Sequence, residues 1–159
     1  MRVLAIALAG LSTLAAGWMM IRDPGSGIRS PGTFPSRSTS RAELEATIES
    51  DRQKVSKNPG DGAAAVQLAD ALMRAARVNG DASLAIEAEH VLRATLQHSS
   101  SDYLARRMLS VVYLSQHRFA EALTEAKAAQ KLRPRDAWNY AIAGDALLEL
   151  GRYEEAFDS

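Results

Sequence analysis

The chain of 159 residues has no cysteine, few aromatic residues and no net charge. Without cysteine there is no disulfide framework, no thiolate metal site, no cysteine nucleophile and no lipid-modified cysteine. Lys and Arg together number 19, as do Asp and Glu, and no clustered basic stripe indicates nucleic-acid binding. The P-loop, GxGxxG, HExxH and GxSxG motifs are also missing. The sequence therefore predicts neither an enzyme nor a cofactor site.

Three histidines are the only obvious material for catalysis or metal binding. His90 and His98 fall eight residues apart on one predicted helix. That spacing separates them by about 12 Å along the axis, too far for two ligands of one ion. His117 falls in a predicted turn. We therefore expect no metal site.

The chain does contain a long uncharged run, residues 3–21, close to its start. At about 1.5 Å per residue, a helix of this length just crosses a hydrocarbon layer of about 30 Å. Small residues at 15–17 would also suit cleavage of a signal peptide. The apolar run continues past them through Trp18, which suits a membrane interface. Residues 1–21 are thus predicted to be a membrane anchor, with a cleaved signal peptide as the alternative.

Two features give opposite orientations for this segment. Arg22, Arg29 and Arg37 follow the apolar run and Arg2 alone precedes it, which would keep the rest of the chain in the cytoplasm. An apolar segment at the extreme N-terminus, however, is typical of an export signal. We favour export, which places the following domain outside the cytoplasm, in the periplasm. The protein is secreted if the leader is cleaved.

Residues 22–40 contain three prolines, three glycines and five serines, with almost no apolar side chains. Such a segment cannot bury enough surface to offset its ordering entropy. We interpret it as a flexible linker.

The remaining residues, 41–159, show helical periodicity and an internal repeat of 34 residues. Residues 103–125 align with 137–159, so that Tyr113 matches Leu147 and Phe119 matches Tyr153. A period of this length is typical of a helix–turn–helix unit in a solenoid. The predicted helices are 41–57, 62–77, 82–98, 103–115, 118–132, 136–150 and 153–159, and no segment alternates like a strand.

The repeated residues resemble the tetratricopeptide repeat (TPR) family over residues 41–159. The last unit carries the pattern in Tyr140, Ala143-Gly144, Leu147, Gly151, Tyr153 and Ala156. The unit before it carries the pattern in Leu109-Ser110, Tyr113, Phe119, Ala122, Ala129 and Pro134. The resemblance implies an all-α, right-handed α-solenoid of helix–turn–helix units, preceded here by the apolar helix and the linker.

The first full unit departs from the period. Pro59 and Pro134 lie 75 residues apart, seven more than two periods, and we place the excess near residues 77–83. At the other end, Ser159 falls inside a helix that the family pattern would continue. We therefore expect the chain to be the front part of a longer protein, with the apolar side of the last unit partly uncovered.

The resemblance implies a partner-binding groove on the first helices of the units. On that face we place Val66, Gln67, Asp70, Arg74, Arg107, Val111, Trp138, Ile142 and Asp145. Such a surface would suit a peptide with an acidic group and an apolar side chain. Trp138 is either an exposed binding residue or a packing residue near Leu132 and Pro134, and the sequence leaves both open. Asp70, Val111 and Asp145 stand where some family members hold a terminal carboxylate, so we do not expect that activity.

The predicted function is a protein–protein interaction scaffold or adaptor, tethered to the membrane through residues 3–21 or exported. It would hold a protein or peptide segment in its concave groove. The alternative is a docking or regulatory arm of an enzyme whose catalytic domain lies beyond Ser159. A third hypothesis is self-association through the last repeat.

Overall fold

The computed structural model describes residues 40–158, which contain α-helices and no strand. The predicted anchor or signal peptide and nearly all of the predicted linker lie outside the described residues. The helices are α1 (Arg41–Lys57), α2 (Gly62–Asn79), α3 (Ala82–His98), α4 (Tyr103–Ser115), α5 (Phe119–Leu132), α6 (Ala137–Glu149) and α7 (Tyr153–Phe157). None of these helices is both long and apolar enough to cross a membrane.

The helix starts follow from local sequence signals. Ser40 and Glu43 form the predicted capping box, in which Ser40 Oγ accepts from the Glu43 amide and Glu43 accepts from the Ser40 amide. Each bond satisfies an amide that the helix itself leaves without an acceptor. Four later helices begin after an aspartate whose side chain accepts from a first-turn amide: Asp61, Asp81, Asp102 and Asp136.

The helices pack as two rows. Each helix contacts the next along the chain, and α2, α4 and α6 also contact one another in sequence. We call these three the inner helices. This pattern confirms a TPR-like array in which α2–α3, α4–α5 and α6–α7 are successive units and α1 packs on the first of them. The right-handed sense of the solenoid stays a prediction.

Small residues form much of the contact between the rows. Ala69, Ala88, Ala105, Ala122 and Ala146 are fully buried, together with larger core residues such as Leu68, Leu72, Leu92 and Val112. Because alanine adds little bulk, the helix axes can approach closely at these positions. The buried positions recur every three and four residues, as expected for one apolar face per helix.

The predicted excess in the first unit is real and lies mainly in its helices. The first inner helix, α2, has 18 residues, whereas α4 and α6 have 13 each. Its partner α3 has 17 residues against 14 in α5. The helix therefore runs beyond the predicted end at residue 77 and stops at Gly80, whose positive φ of 67° favours glycine. The α2–α3 hairpin thus extends farther than the hairpin that follows it.

Candidate functional site

The most distinctive feature of the inner helices is an arginine stacked on an exposed tryptophan. Arg107 of α4 lies over the ring of Trp138 of α6, with its Cζ atom 5.4 Å from the ring centroid. Trp138 is 58% exposed, so the ring does not serve mainly as a packing residue. Of the two interpretations that the sequence left open, the structure favours the exposed one. Neighbouring units together present a cationic and aromatic surface, which we call the Arg107–Trp138 surface.

Asp136, the N-cap of α6, connects the two side chains. Its Oδ1 accepts from the Trp138 amide at 3.1 Å, and its Oδ2 lies 3.7 Å from Nη1 of Arg107. The carboxylate therefore fixes the first turn of α6 and draws the guanidinium toward the tryptophan. These two contacts hold the Arg107 side chain in one orientation.

Tyr103, at the start of α4, holds Asp136 from the interior. The buried tyrosine donates its hydroxyl to Asp136 Oδ2 at 2.5 Å, and the same hydroxyl lies 3.2 Å from Asn139 Oδ1. The hydroxyl bond from Tyr103 is the main reason that the pKa of Asp136 is lowered. The bond from the Trp138 amide and the charges of Arg107 and Arg133 lower it further. Asp136 thus carries its negative charge at neutral pH.

The loop before α6 completes this network. The Asn139 side chain is fully buried and donates to the Arg133 carbonyl at 3.2 Å. Arg133 lies over the face of Tyr103, with Cζ 4.1 Å from the ring centroid. The network therefore joins α4, the loop and α6 through groups that all have partners. A buried network of this kind fixes one arrangement of the two helices.

The predicted site residues on α2 form a separate pair. Asp70 and Arg74 make an exposed i,i+4 ion pair at 3.0 Å. Val66 is half-buried and Gln67 is exposed on the same helix. An exposed pair of this kind contributes at most about 1 kcal/mol to stability.

Of the three remaining predicted residues, one lies in the core and two are at least partly exposed. Ile142 is 3% exposed and belongs to the core, so its prediction as a groove residue was wrong. The reason is helical periodicity: the buried residues of α6 are Asn139, Ile142, Ala143, Ala146 and Leu147, which follow i, i+3, i+4, i+7 and i+8. Val111 is half-buried and Asp145 is exposed.

A second polar cluster lies between α3, α4 and the start of α5. The buried Glu89 carboxylate accepts from Arg118 at 2.7 Å, from Arg93 at 3.3 Å and from the Tyr113 hydroxyl at 3.3 Å. Burial, followed by the charge of Glu89, raises the pKa of the Tyr113 hydroxyl. Arg118 also pairs with Glu121 at 3.0 Å, so two carboxylates balance the two cations and the cluster joins the helices.

The histidines form no shared site. His98 Nδ1 lies 2.9 Å from the Ala94 carbonyl on its own helix, and the ring of His117 meets Phe119 edge-on at 5.7 Å. Between residues 40 and 158, no three His, Asp or Glu side chains are grouped so that they could hold a metal ion.

The residues that the sequence interpretation missed are Tyr103, Asp136, Asn139 and Arg133. One signal was available, because aspartate recurs before each inner helix, at positions 61, 102 and 136. The repeat predicts that these aspartates occupy equivalent places. It does not reveal that Tyr103 has a side chain long enough for its hydroxyl to reach Asp136, the aspartate of the next unit.

Comparison with known proteins supports the fold assignment. No protein-family model and no curated protein matches the chain. Among solved structures, MamA MSR-1 C2 aligns with a TM-score of 0.57 and 19% identity over 71% of this chain. A mutant form of MamA aligns with a TM-score of 0.56 and 20% identity over 70% of this chain. This chain spans 61% of the length of each of them. At such identities the likeness shows the fold alone, which is TPR-like and all-helical.

Proposed function

We propose that this protein is a TPR-type interaction scaffold that binds a protein segment through its inner helices. The observation that carries the proposal is the exposed Trp138 under Arg107, held by Asp136. Tryptophan and arginine are the residues most often responsible for binding energy at protein interfaces. A partner would contribute an apolar side chain against the indole and an acidic group toward the guanidinium. Its binding involves no chemical turnover.

The test is quantitative co-purification from cells that make the native protein. Full-length wild type is compared with Trp138→Ala, Arg107→Glu and a control, Leu148→Ala. Leu148 is also an exposed apolar residue of α6, at 46% exposure, but lies outside the arginine–tryptophan stack. We expect the same partner to be lost from the first two variants and retained by the control. Partners that are equally abundant on all four proteins would contradict the proposal.

We further propose that residues 3–21 attach the scaffold to a membrane, with the helical repeats on the extracytoplasmic side. The support is the uncharged run of 19 residues followed by the polar segment 22–40. Fractionation with protease treatment of intact cells or spheroplasts tests both parts. Recovery of the repeats in a protease-protected cytoplasmic fraction would exclude the orientation, and a mature N-terminus near residue 18 would show cleavage.

Self-association is a second candidate mode of interaction. Its support is the set of exposed apolar side chains at the end of the last described unit: Leu150, Tyr153 and Phe157. Sedimentation of the full chain across a concentration series tests it, because a second copy binds by mass action. Replacement of Phe157, 86% exposed, by serine should lower the apparent mass if this surface is used.

A further inference from the structure

An apolar groove lies at the end of the first hairpin, away from the Arg107–Trp138 surface. It has a volume of 670 Å³ and is formed by the last turns of α2, the first turns of α3 and the end of α4. Met73, Ala76, Ala82, Ala85 and Ile86 line it. Ile86 is 54% exposed in the groove, and Val78, close by in sequence at the end of α2, is 67% exposed without lining the groove.

The groove exists because the first unit is longer than the next. The extra residues of α2 and α3 carry their hairpin past the end of α4, which stops at Ser115. Side chains in the overhang therefore have no residues of the following unit to cover them. In a repeat array each unit normally buries its apolar face against its neighbour.

The polar groups along the groove are already satisfied, with one exception. Gln116 Nε2 donates to the Ala85 carbonyl at 3.3 Å, and Ser115 Oγ donates to the Val112 carbonyl at 2.6 Å. Arg77, on the rim, is exposed and has no ion pair or hydrogen bond from its side chain to any residue between 40 and 158. An apolar groove therefore has at its edge a cation that no carboxylate of residues 40–158 neutralises.

Nearby carboxylates do not neutralise Arg77. Asp81 accepts from the Ser83 amide at 2.9 Å and from its hydroxyl at 2.6 Å. Asp70 pairs with Arg74, and Glu87 pairs with Arg52 at 2.7 Å. A partner that complements this surface would carry an apolar side chain with a carboxylate close to it.

We propose that the groove is a second docking site, for a protein segment that inserts apolar side chains beside a Glu or Asp paired with Arg77. Ile86 in the groove and Val78 at the end of α2 are both exposed, which fits a segment with more than one apolar side chain in contact. The site is independent of the Arg107–Trp138 surface, because it lies at the opposite end of the inner helices. Binding at one surface does not require binding at the other.

The first experiment uses two matched probes and the full chain in mild detergent. One probe is a short amphipathic helical peptide with leucines on one face and glutamates beside them. The other has lysines in place of the glutamates. Binding is followed by amide chemical shifts in NMR spectra. We expect the acidic peptide to shift residues 73–86 and 115–116, and the basic peptide to bind several times more weakly.

Three variants test the role of the cation. Arg77→Gln should weaken the acidic peptide about threefold to fivefold, the range expected for one exposed ion pair. Arg77→Glu should reverse the preference toward the basic peptide. Arg152→Gln is the control, since it removes the same charge from an exposed arginine that already has a partner and lies outside the groove, and it should leave the affinity within about twofold.

Two results would overturn the inference. The first is equal affinity for the two peptides together with no effect of the Arg77 variants. The second is the absence of shifts at the groove with either probe. If shifts occur only around Arg107 and Trp138, the groove inference fails while the proposed scaffold function stands. If shifts occur only at the groove, the groove inference stands, and the Arg107–Trp138 surface is judged by the co-purification test alone.

Discussion

The two junctions between successive inner helices occupy the same place in the repeat but are built differently. Where α2 meets α4, Gly62 faces the N-cap aspartate of the next unit, Asp102. Where α4 meets α6, Tyr103 faces Asp136. The first junction depends on the absence of a side chain, since a Cβ on Gly62 would lie 1.9 Å from Asp102 Oδ2. The second depends on a hydroxyl that reaches the carboxylate.

The difference shows how one repeat position can join successive helices in two ways, of which only the second also contacts a surface arginine. At the first junction, the aspartate carboxylate lies against the backbone of α2 and caps α4 through the Ala105 amide at 2.9 Å. At the second, the tyrosine leaves the aspartate free to contact Arg107 as well. Only the second junction thereby supports a charged aromatic surface at the exposed end of the helix.

The largest expected effect comes from adding one methyl group to the first junction. Gly62→Ala must displace the Asp102 carboxylate, because all three of its terminal atoms lie within 2.8 Å of the new Cβ. Overpacking and loss of the cap together should cost about 2–3 kcal/mol in the free energy of unfolding, measured by urea denaturation. The control is Gly60→Ala, whose Cβ would meet its nearest neighbour at 3.7 Å.

That control should change the free energy of unfolding by no more than about 0.5 kcal/mol. Equal stability of the two variants would show that the first junction does not depend on close approach.

A smaller effect should follow from removing one hydroxyl at the second junction. Tyr103→Phe keeps the ring under Arg133 but leaves Asp136 and the buried Asn139 without the hydroxyl. We expect a loss of about 1–2 kcal/mol in the free energy of unfolding. Tyr113→Phe is the matched control, because its hydroxyl bond to Glu89 is longer, at 3.3 Å, and Glu89 keeps two arginines. A larger loss in the control than in Tyr103→Phe would contradict the assigned importance of the second network.

The smallest effect is a dependence on pH that belongs to the second junction alone. The folded-state pKa of Asp136 is lowered, first by the Tyr103 hydroxyl, so its contribution to stability is present above the unfolded pKa of about 4. The contribution is lost as the pH falls below that value through the folded pKa. The difference in unfolding free energy between wild type and Tyr103→Phe should therefore shrink in acid.

Carboxyl NMR titration gives the direct measurement for this prediction. The pKa of Asp136 should rise toward its ordinary value in Tyr103→Phe. An unchanged titration of Asp136 in that variant would show that another group holds the carboxylate in its charged form.

Much of the architecture could be predicted from local patterns. The capping box at Ser40, the period of 34 residues and the turn at residues 79–81 each depend on neighbours within one helical turn or one repeat. The seven-residue excess of the first unit was also predictable from the positions of Pro59 and Pro134. Its division between α2 and α3 was not, since both a longer turn and longer helices satisfy the same count.

The candidate site was harder to predict because exposure depends on neighbouring helices. Trp138 and Ile142 lie four residues apart on α6, and the sequence interpretation placed both in the groove. In the structure, Trp138 is 58% exposed and Ile142 is 3% exposed. Residues four positions apart lie only about 40° apart around a helix, so the spacing of the two residues alone does not show which side chain is covered. Which of them meets the core is settled by where α4 and α5 pack.

The sequence by itself determined the helices, their order and their repeat, because caps, turns and apolar periodicity act over a few residues. The tertiary structure alone decided that Arg107 reaches Trp138, that Tyr103 reaches Asp136, and that the longer first hairpin leaves a groove beside Arg77. Each of these features joins side chains from different helices. Their distances depend on the packing of helix against helix, which no local pattern specifies.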